Sequence, residues 1–463
     1  MKRPPANRAK LAAWRGWVLV GPCLGCAAPA WTQGVPSGSP WPDSSVEWIA
    51  PARSPVRRDD PANGATNPSG QTEWVPMSGS GQGTSMLAPD LGFRASAYTG
   101  LRPAEGNLGG SPPTPLRWAG IEAHPHLGYN LLYGTGLLAG PGRDENTFLH
   151  TVSPGVTFDL GPRWSVDYTP SFKIYSSPAY RDTVDQAVSL NGSAMWGGWS
   201  FTLAYGFRSS SDPLVETASQ TAQDTHNLNL GAQRSLGEKT SLELGFDQAL
   251  RFTEDYTDSL SWSTTDWLDR MLNRHLSVAI GLSAGYDQMD PGTDMTSERL
   301  LGRVRGTVGD KLSYSLSGGL EWRQFLDTGA PAKLSPTVEG SLVYRVFQTT
   351  EVTAEVGHDI STSYYADQYT ESTRFGVGLR QRLLRRIYFG VSGDYSLTAY
   401  LTPGAGSVSQ REDDRFSVQV SLSTVLVKRL ALSVFYRYSD DQSDQSGYSF
   451  SSNQLGLSFY YAL

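Results

Sequence analysis

Arginines recur at alternate positions in two places, Arg303 with Arg305 and Arg380 with Arg382. In an extended strand alternate side chains project from one face, so each pair sets two permanent positive charges side by side. A guanidinium has several donors and holds an anion or a sugar hydroxyl through more than one bond at once. Carrying the same alternation along the chain puts Arg323, Arg374 and Arg437 on polar strand faces. Glu243, Asp247, Glu321, Glu351, Glu355, Asp159 and Asp167 share that side. Opposed rows of arginine and carboxylate on the wall of a wet pore create a transverse field that sorts solutes by charge and shape. A plainer alternative stands beside this: the charges pair across strands and merely solvate the wall. The candidate selectivity residues are Arg303, Arg305, Arg323, Arg380, Arg382, Glu321, Glu351 and Glu355.

Catalytic and metal chemistry is harder to assemble. The six histidines are His124, His126, His150, His226, His275 and His358. His124 and His126 share a strand face, but no third ligand is apparent near them in sequence, so no metal site is expected. Asp359 follows His358 directly and in a strand points to the opposite face, which rules out a dyad from that adjacency. There is no phosphate loop, no nucleophile elbow and no metal tetrad. The sequence reads as a non-enzyme without a cofactor.

The elements that would position the charges are strands. From Trp118 to Leu463 the chain alternates apolar and polar residues, as in Phe416-Ser417-Val418-Gln419-Val420-Ser421-Leu422-Ser423. The same device runs through Trp199 to Phe207, Leu242 to Phe252, Leu276 to Leu282 and Phe375 to Leu379. These segments run about ten to fifteen residues, longer than strands of soluble domains and right for a tilted membrane strand. Short turns such as Gly197-Gly198, Gly309-Asp310-Lys311 and Val427-Lys428-Arg429 alternate with longer polar loops near 209–223, 287–297, 327–333, 361–371, 401–412 and 440–447. Many of those loops are acidic, as at Asp287 to Asp290 and Asp440 to Asp444.

That rhythm predicts an all-β protein, a transmembrane antiparallel up-and-down β-barrel of about 18 strands, with 16 as the alternative count. Both chain ends fall on the short-turn side. The last strand carries apolar residues at Leu457, Phe459, Tyr461 and Leu463. This is the pattern of an outer-membrane barrel's C-terminal assembly signal, here closing in Leu rather than Phe. Outer-membrane lipid and the barrel assembly machinery are the expected partners.

The first thirty residues read as an export signal: Lys2, Arg3, Arg8, Lys10 and Arg15, then an apolar stretch, then Ala28-Pro29-Ala30. A lipoprotein signal ending at Cys26 is the rival reading. Both cysteines, Cys23 and Cys26, lie here, so cleavage leaves a chain free of disulfides and thiolate sites. It also removes five positive charges and no negative ones, taking the net charge of −7 to −12. Such an acidic balance argues against nucleic acid as a partner. Residues 31–117 are rich in Pro, Gly and Ser and cannot bury enough apolar surface to offset their ordering entropy, so a disordered periplasmic segment is expected. The barrel is assigned to 118–463.

Residues 124–180 carry a further pattern. Gly128-Tyr129-Asn130-Leu131-Leu132-Tyr133 is followed by the polar run Arg143-Asp144-Glu145-Asn146, then by Val152-Ser153-Pro154-Gly155-Val156-Thr157-Phe158 and a tyrosine-bounded strand from Tyr168 to Tyr175. This order resembles the start of the β-barrel porin families found beside exopolysaccharide gene sets. The resemblance implies an outer-membrane pore for hydrophilic solutes, with saccharide or exopolysaccharide as the cargo class. The alternative is a non-conducting barrel with a structural or surface role. Oligomeric state has no signature in the sequence.

Overall fold

The computed structural model describes residues 116–118, 120–135, 145–326, 328–384, 386–403, 410–427 and 429–463. The expected export signal lies outside the described residues, as do Arg143, Asp144, Lys428 and all of the Pro/Gly/Ser-rich segment except Leu116 and Arg117. Along the chain the wall strands are β1 (Ile121–Gly134), β2 (Thr147–Leu160), β3 (Trp164–Tyr168 continued by Ser171–Tyr175), β4 (Thr183–Trp196), β5 (Trp199–Ser210) and β6 (Gln223–Ser235). Next come β7 (Thr240–Thr253), β8 (Asp258–Asn273), β9 (Leu276–Asp290), β10 (Met295–Val308), β11 (Leu312–Phe325) and β12 (Lys333–Phe347). The last six are β13 (Thr350–Thr362), β14 (Tyr369–Leu383), β15 (Ile387–Leu401), β16 (Arg411–Val427), β17 (Leu430–Ser443) and β18 (Phe450–Ala462).

Every wall strand pairs antiparallel with its sequence neighbours. β18 pairs back onto β1, with Phe459 opposite Tyr129 and Leu457 opposite Leu131, so the 18-stranded sheet closes. Closure satisfies the backbone donors and acceptors that an open edge would leave bare in lipid. β3 is interrupted because Pro170 has no N–H to give the ladder; Thr169 and Ala187 exchange two backbone bonds beside the gap and keep the register. The two-residue turn between β4 and β5 is Gly197-Gly198 with φ of +58° and +80°, the left-handed pair that such a hairpin favours. A three-residue strand, Leu116–Trp118, folds back on the start of β1 across Gly120, at the end of β1 that β18 does not reach.

The two faces of the wall differ as the alternation demands. Ile280, Leu282, Leu300, Leu316 and Leu320 stand outward and open, Leu282 at 64% exposure. Trp164, Trp196 and Phe347 lie towards the turn end of that face, and Trp262, Trp322 and Phe416 towards the loop end. An aliphatic belt between aromatic girdles is a lipid-facing surface. In water, by contrast, each such side chain forfeits the roughly 1.5–3 kcal/mol that burial gives. Alternate positions face the lumen and carry Ser, Thr, Gln, Arg and carboxylates. Leu457, Phe459 and Tyr461 all lie on the outer face, at the closing seam. Inside that seam Ser458 Oγ bonds Asn130 Oδ1 at 2.9 Å.

The strands run further into the loop side than the polarity of the sequence suggests. Asp287 to Asp290 belong to β9, and Asp440 to Ser443 to β17, rather than to loops. The reason is that a lumen-facing position tolerates a carboxylate whenever a cation faces it, so acidity there does not mark a turn. The loops at 254–257 and 291–294 are correspondingly short, and the short–long alternation is looser than expected.

Two outcomes test this architecture. A cysteine placed at Ser446, in the β17–β18 loop, labels on intact cells with an impermeant maleimide, whereas one at Lys311, in the β10–β11 turn, labels only after permeabilisation. Val420→Arg places a charge on the lipid face and costs on the order of 2–4 kcal/mol, enough to impair assembly. Ser421→Arg, one residue on and facing the lumen, assembles; heat-modifiable migration on a gel separates the two.

Candidate functional site: a charged lumen with a constriction

The charged residues of the lumen fall into two groups. On β7 to β11 they form a packed ladder. Arg323, fully buried, donates through Nε to Glu321 Oε1 at 2.7 Å and through Nη1 to Asp287 Oδ2 at 2.9 Å. Arg299 donates to the second oxygen of Glu321 at 2.7 Å. Towards the turn end, Arg303 donates to Glu243 at 2.7 Å, Arg305 reaches the same carboxylate at 3.3 Å, and Asp269 lies 3.4 Å from Arg303. The Arg303 guanidinium also lies over the Trp267 ring, 4.1 Å from its centre, and that ring rests on Gly281, where a Cβ would stand 2.5 Å from it. Thus three of the sequence-derived arginines, Arg303, Arg305 and Arg323, and one carboxylate, Glu321, are brought into two clusters of paired charges, Arg323 with Glu321 and Asp287, and Arg303 and Arg305 with Glu243.

The remaining candidates sit apart, on β13 and β14. Arg380 and Arg382 are exposed to the lumen; Arg380 lies 4.6 Å from the centre of the Tyr388 ring, and neither makes an ion pair among the described residues. Glu351 faces Arg345 at 3.5 Å, both well solvated, and Glu355 is open. This group lines a wet stretch of wall near the short turns. The plainer alternative, pairing across strands, therefore describes the first group and, in the second, only Glu351.

A further cluster was not legible in the sequence. Beyond the pair Val338–His358, the backbone ladder between β12 and β13 stops. Glu371 shares a strand face with Phe375 and Val377, which stand exposed on the outer wall, yet it accepts bonds from Lys333 at 2.6 Å and Ser335 at 2.7 Å, which face inward. Ile360, Tyr369 and Leu401 likewise pack on Met289, Met295 and Phe325 from the inner wall opposite. The loop-side ends of β13 to β15 therefore lean into the barrel. What should be their lipid face becomes an interior face, and the buried apolar cluster holds the lean in place.

At the tip of this lean, the β13–β14 loop reaches the β5–β6 loop. Glu216 accepts hydrogen bonds from Ser363 Oγ and from the Tyr364 N–H at 2.7 Å, across 148 residues of sequence. Arg251 donates to the Ser363 carbonyl at 2.7 Å and lies over the Tyr364 ring, while the Tyr364 hydroxyl donates to Gln223 at 2.9 Å. Arg411, gripped by Asp413, donates to the Glu216 carbonyl at 3.0 Å between the rings of Tyr400 and Tyr448. Tyr364, Ser363 and Thr370 have no more than 1% of their surface exposed. Side chains so dry inside a polar lumen mark a constriction. Nothing in the local sequence of Ser363-Tyr364-Tyr365 announces it, because its partners arrive from strands far along the chain.

Burial pushes the Glu216 carboxyl up, against Ser363, the Tyr364 N–H, Arg251 and Arg411, which all favour the anion. A carboxyl raised in the folded state contributes its full stability below the ordinary glutamate range and loses it as pH climbs through the raised value. The latch is therefore firmest in acid. In bilayer recordings wild-type conductance rises between about pH 4 and about pH 8, Glu216→Gln shows no such rise, and Glu216→Ala is the more conductive at both. In the ladder, Arg323→Gln strands Asp287 and leaves Glu321 with Arg299 alone, and costs about 3–5 kcal/mol, read as a lowered temperature of heat-modifiable migration.

No curated protein matches the chain. Among solved structures it is similar to Pseudomonas aeruginosa OccK2 in complex with glucuronate (12% identity, 74% of this chain and 98% of that chain, TM-score 0.44). It is also similar to Pseudomonas aeruginosa OccK11 (12%, 74% and 96%, TM-score 0.40) and to Acinetobacter baumannii OccAB3 (9%, 74% and 99%, TM-score 0.41). The family model described as "Putative beta-barrel porin 2" matches residues 294–461, which is the stretch from β10 to β18 rather than the 124–180 region whose motifs suggested the kinship. The likeness to β-barrel porins expected from the sequence is thus carried by residues 294–461, the half of the barrel that holds Arg323, Arg380 and the inward-leaning strands.

Proposed function

We propose that the protein is an outer-membrane channel for hydrophilic solutes, saccharides among them, whose charge preference is set by lumen arginines and carboxylates. The observation that carries this reading is the wall itself: an aliphatic and aromatic outer belt around an inner face of Ser, Thr, Gln, Arg and carboxylates. A lumen so lined holds water, and water carries solutes. Among the described residues Arg380 and Arg382 make no ion pair, and so they act on whatever passes. Arg303, Arg305, Arg323 and Glu321, being paired, shape the lumen and fix its local dipoles more than they offer net charge. Export by the N-terminal signal, and delivery to lipid through the C-terminal strand, complete the reading.

One observation favours a second reading, a barrel that does not conduct. The loop-side lumen is crossed by the Glu216–Ser363–Tyr364 contact, whose side chains are almost wholly shut off from water. A barrel serving structure or surface interaction would fill its lumen in this way.

Replacing Arg380 and Arg382 together with Gln moves the reversal potential in a salt gradient towards cation selectivity and leaves folding intact, since no ion pair is broken. Liposome swelling with neutral mono- and disaccharides proceeds through both proteins at similar rates. A double variant that folds and keeps the wild-type reversal potential contradicts the assignment of selectivity to these arginines.

A further inference from the structure

At the short-turn mouth of the lumen, β1 and β2 place Glu122 opposite Asp159 and His124 opposite Thr157. All three of Glu122, His124 and Asp159 face inward, half-buried and open to solvent from the mouth. One ligand atom from each lies within 4.8 Å of the others. His124 Nε2 is 3.0 Å from Asp159 Oδ2, yet this buried nitrogen makes no hydrogen bond. Two donor atoms about 3 Å apart that are not aligned with each other have the spacing of neighbouring ligands around an ion bound at about 2.1 Å. His126, two residues along the same face, is differently engaged: its Nε2 bonds Thr169 Oγ1 at 3.1 Å and its ring packs 5.7 Å from that of Tyr460. Strand pairing has therefore supplied to His124 the further ligands that the sequence alone does not show, and they come from carboxylates rather than from the second histidine.

We propose that Glu122, His124 and Asp159 bind a divalent first-row transition cation at this mouth. One imidazole with two carboxylates suits Zn²⁺, Co²⁺, Fe²⁺ or Mn²⁺. Ca²⁺ and Mg²⁺ prefer all-oxygen sets, and Cu⁺ prefers sulfur. Three protein ligands leave coordination positions to water or to an anionic solute entering the lumen, so a bound ion places a positive charge on the path of any such solute. Arg117, on the short strand before β1, sits 3.0 Å from Glu122 and competes with the cation for that carboxylate.

The site is independent of conduction and is tested without it. The full chain, folded in detergent and verified by heat-modifiable migration, is titrated calorimetrically with ZnCl₂. Wild type takes up one Zn²⁺ per barrel. Loss of a direct ligand weakens binding by about ten-fold or more, the least that loss of a supporting outer partner costs, in both His124→Ala and Asp159→Asn. His126→Ala binds as wild type does. Arg117→Ala, which leaves every wall strand intact, binds more tightly because the competing cation is gone. No uptake by wild type up to about 1 mM, the weak end for functional metal sites, overturns the proposal. So does undiminished binding by His124→Ala, or an Arg117→Ala affinity no higher than wild type.

Discussion

A chain that crosses lipid with strands must pair every backbone donor and acceptor within itself, and only closure of the sheet achieves this. Everything else in this protein follows from that closure. Once the seam between β18 and β1 is made, each strand has two faces and no edges. A residue's surroundings are then decided by whether its position is odd or even within its strand. Leucine and arginine thus stand side by side in sequence and in opposite solvents: Leu300 meets lipid while Arg299 joins the ladder at Glu321.

Inside the wall, closure creates a second problem. A lumen lined with charges either stays wet or packs, and here it does each in a different place. Near the short turns Arg380, Arg382 and Glu355 are solvated. Towards the loops the ends of β13 to β15 turn in, and Arg323 becomes dry, a position that its ion pairs with Glu321 and Asp287 make tolerable. β14 carries the two exposed arginines, and the loop that joins it to β13 carries the tip of the constriction. A solute that passes the one stretch must pass the other.

The architecture was legible because alternation, turn residues and strand length are local properties. A strand number of about 18, with 16 as the alternative, and the alternation of faces emerge from counting residues between turns. Acidic segments at Asp287 and Asp440 misled because polarity reports water or a partner, and the sequence does not say which. The constriction was beyond reach for a different reason. Glu216, Ser363, Arg251 and Arg411 come from four separate stretches, and the apolar cluster around Met295 and Tyr369 resembles lipid-facing wall until the strands are seen to lean. The mouth site around His124 shows the same limit on a smaller scale, since Asp159 becomes a neighbour only through the register of β1 and β2.

The central claim, that this barrel is a conduit, is tested most directly by planar-bilayer recording of the folded full chain. The account predicts discrete conductance steps, with larger steps once the Glu216–Ser363–Tyr364 contact is released. A correctly inserted barrel that stays silent, both with that contact released and with residues 31–117 removed, would contradict it.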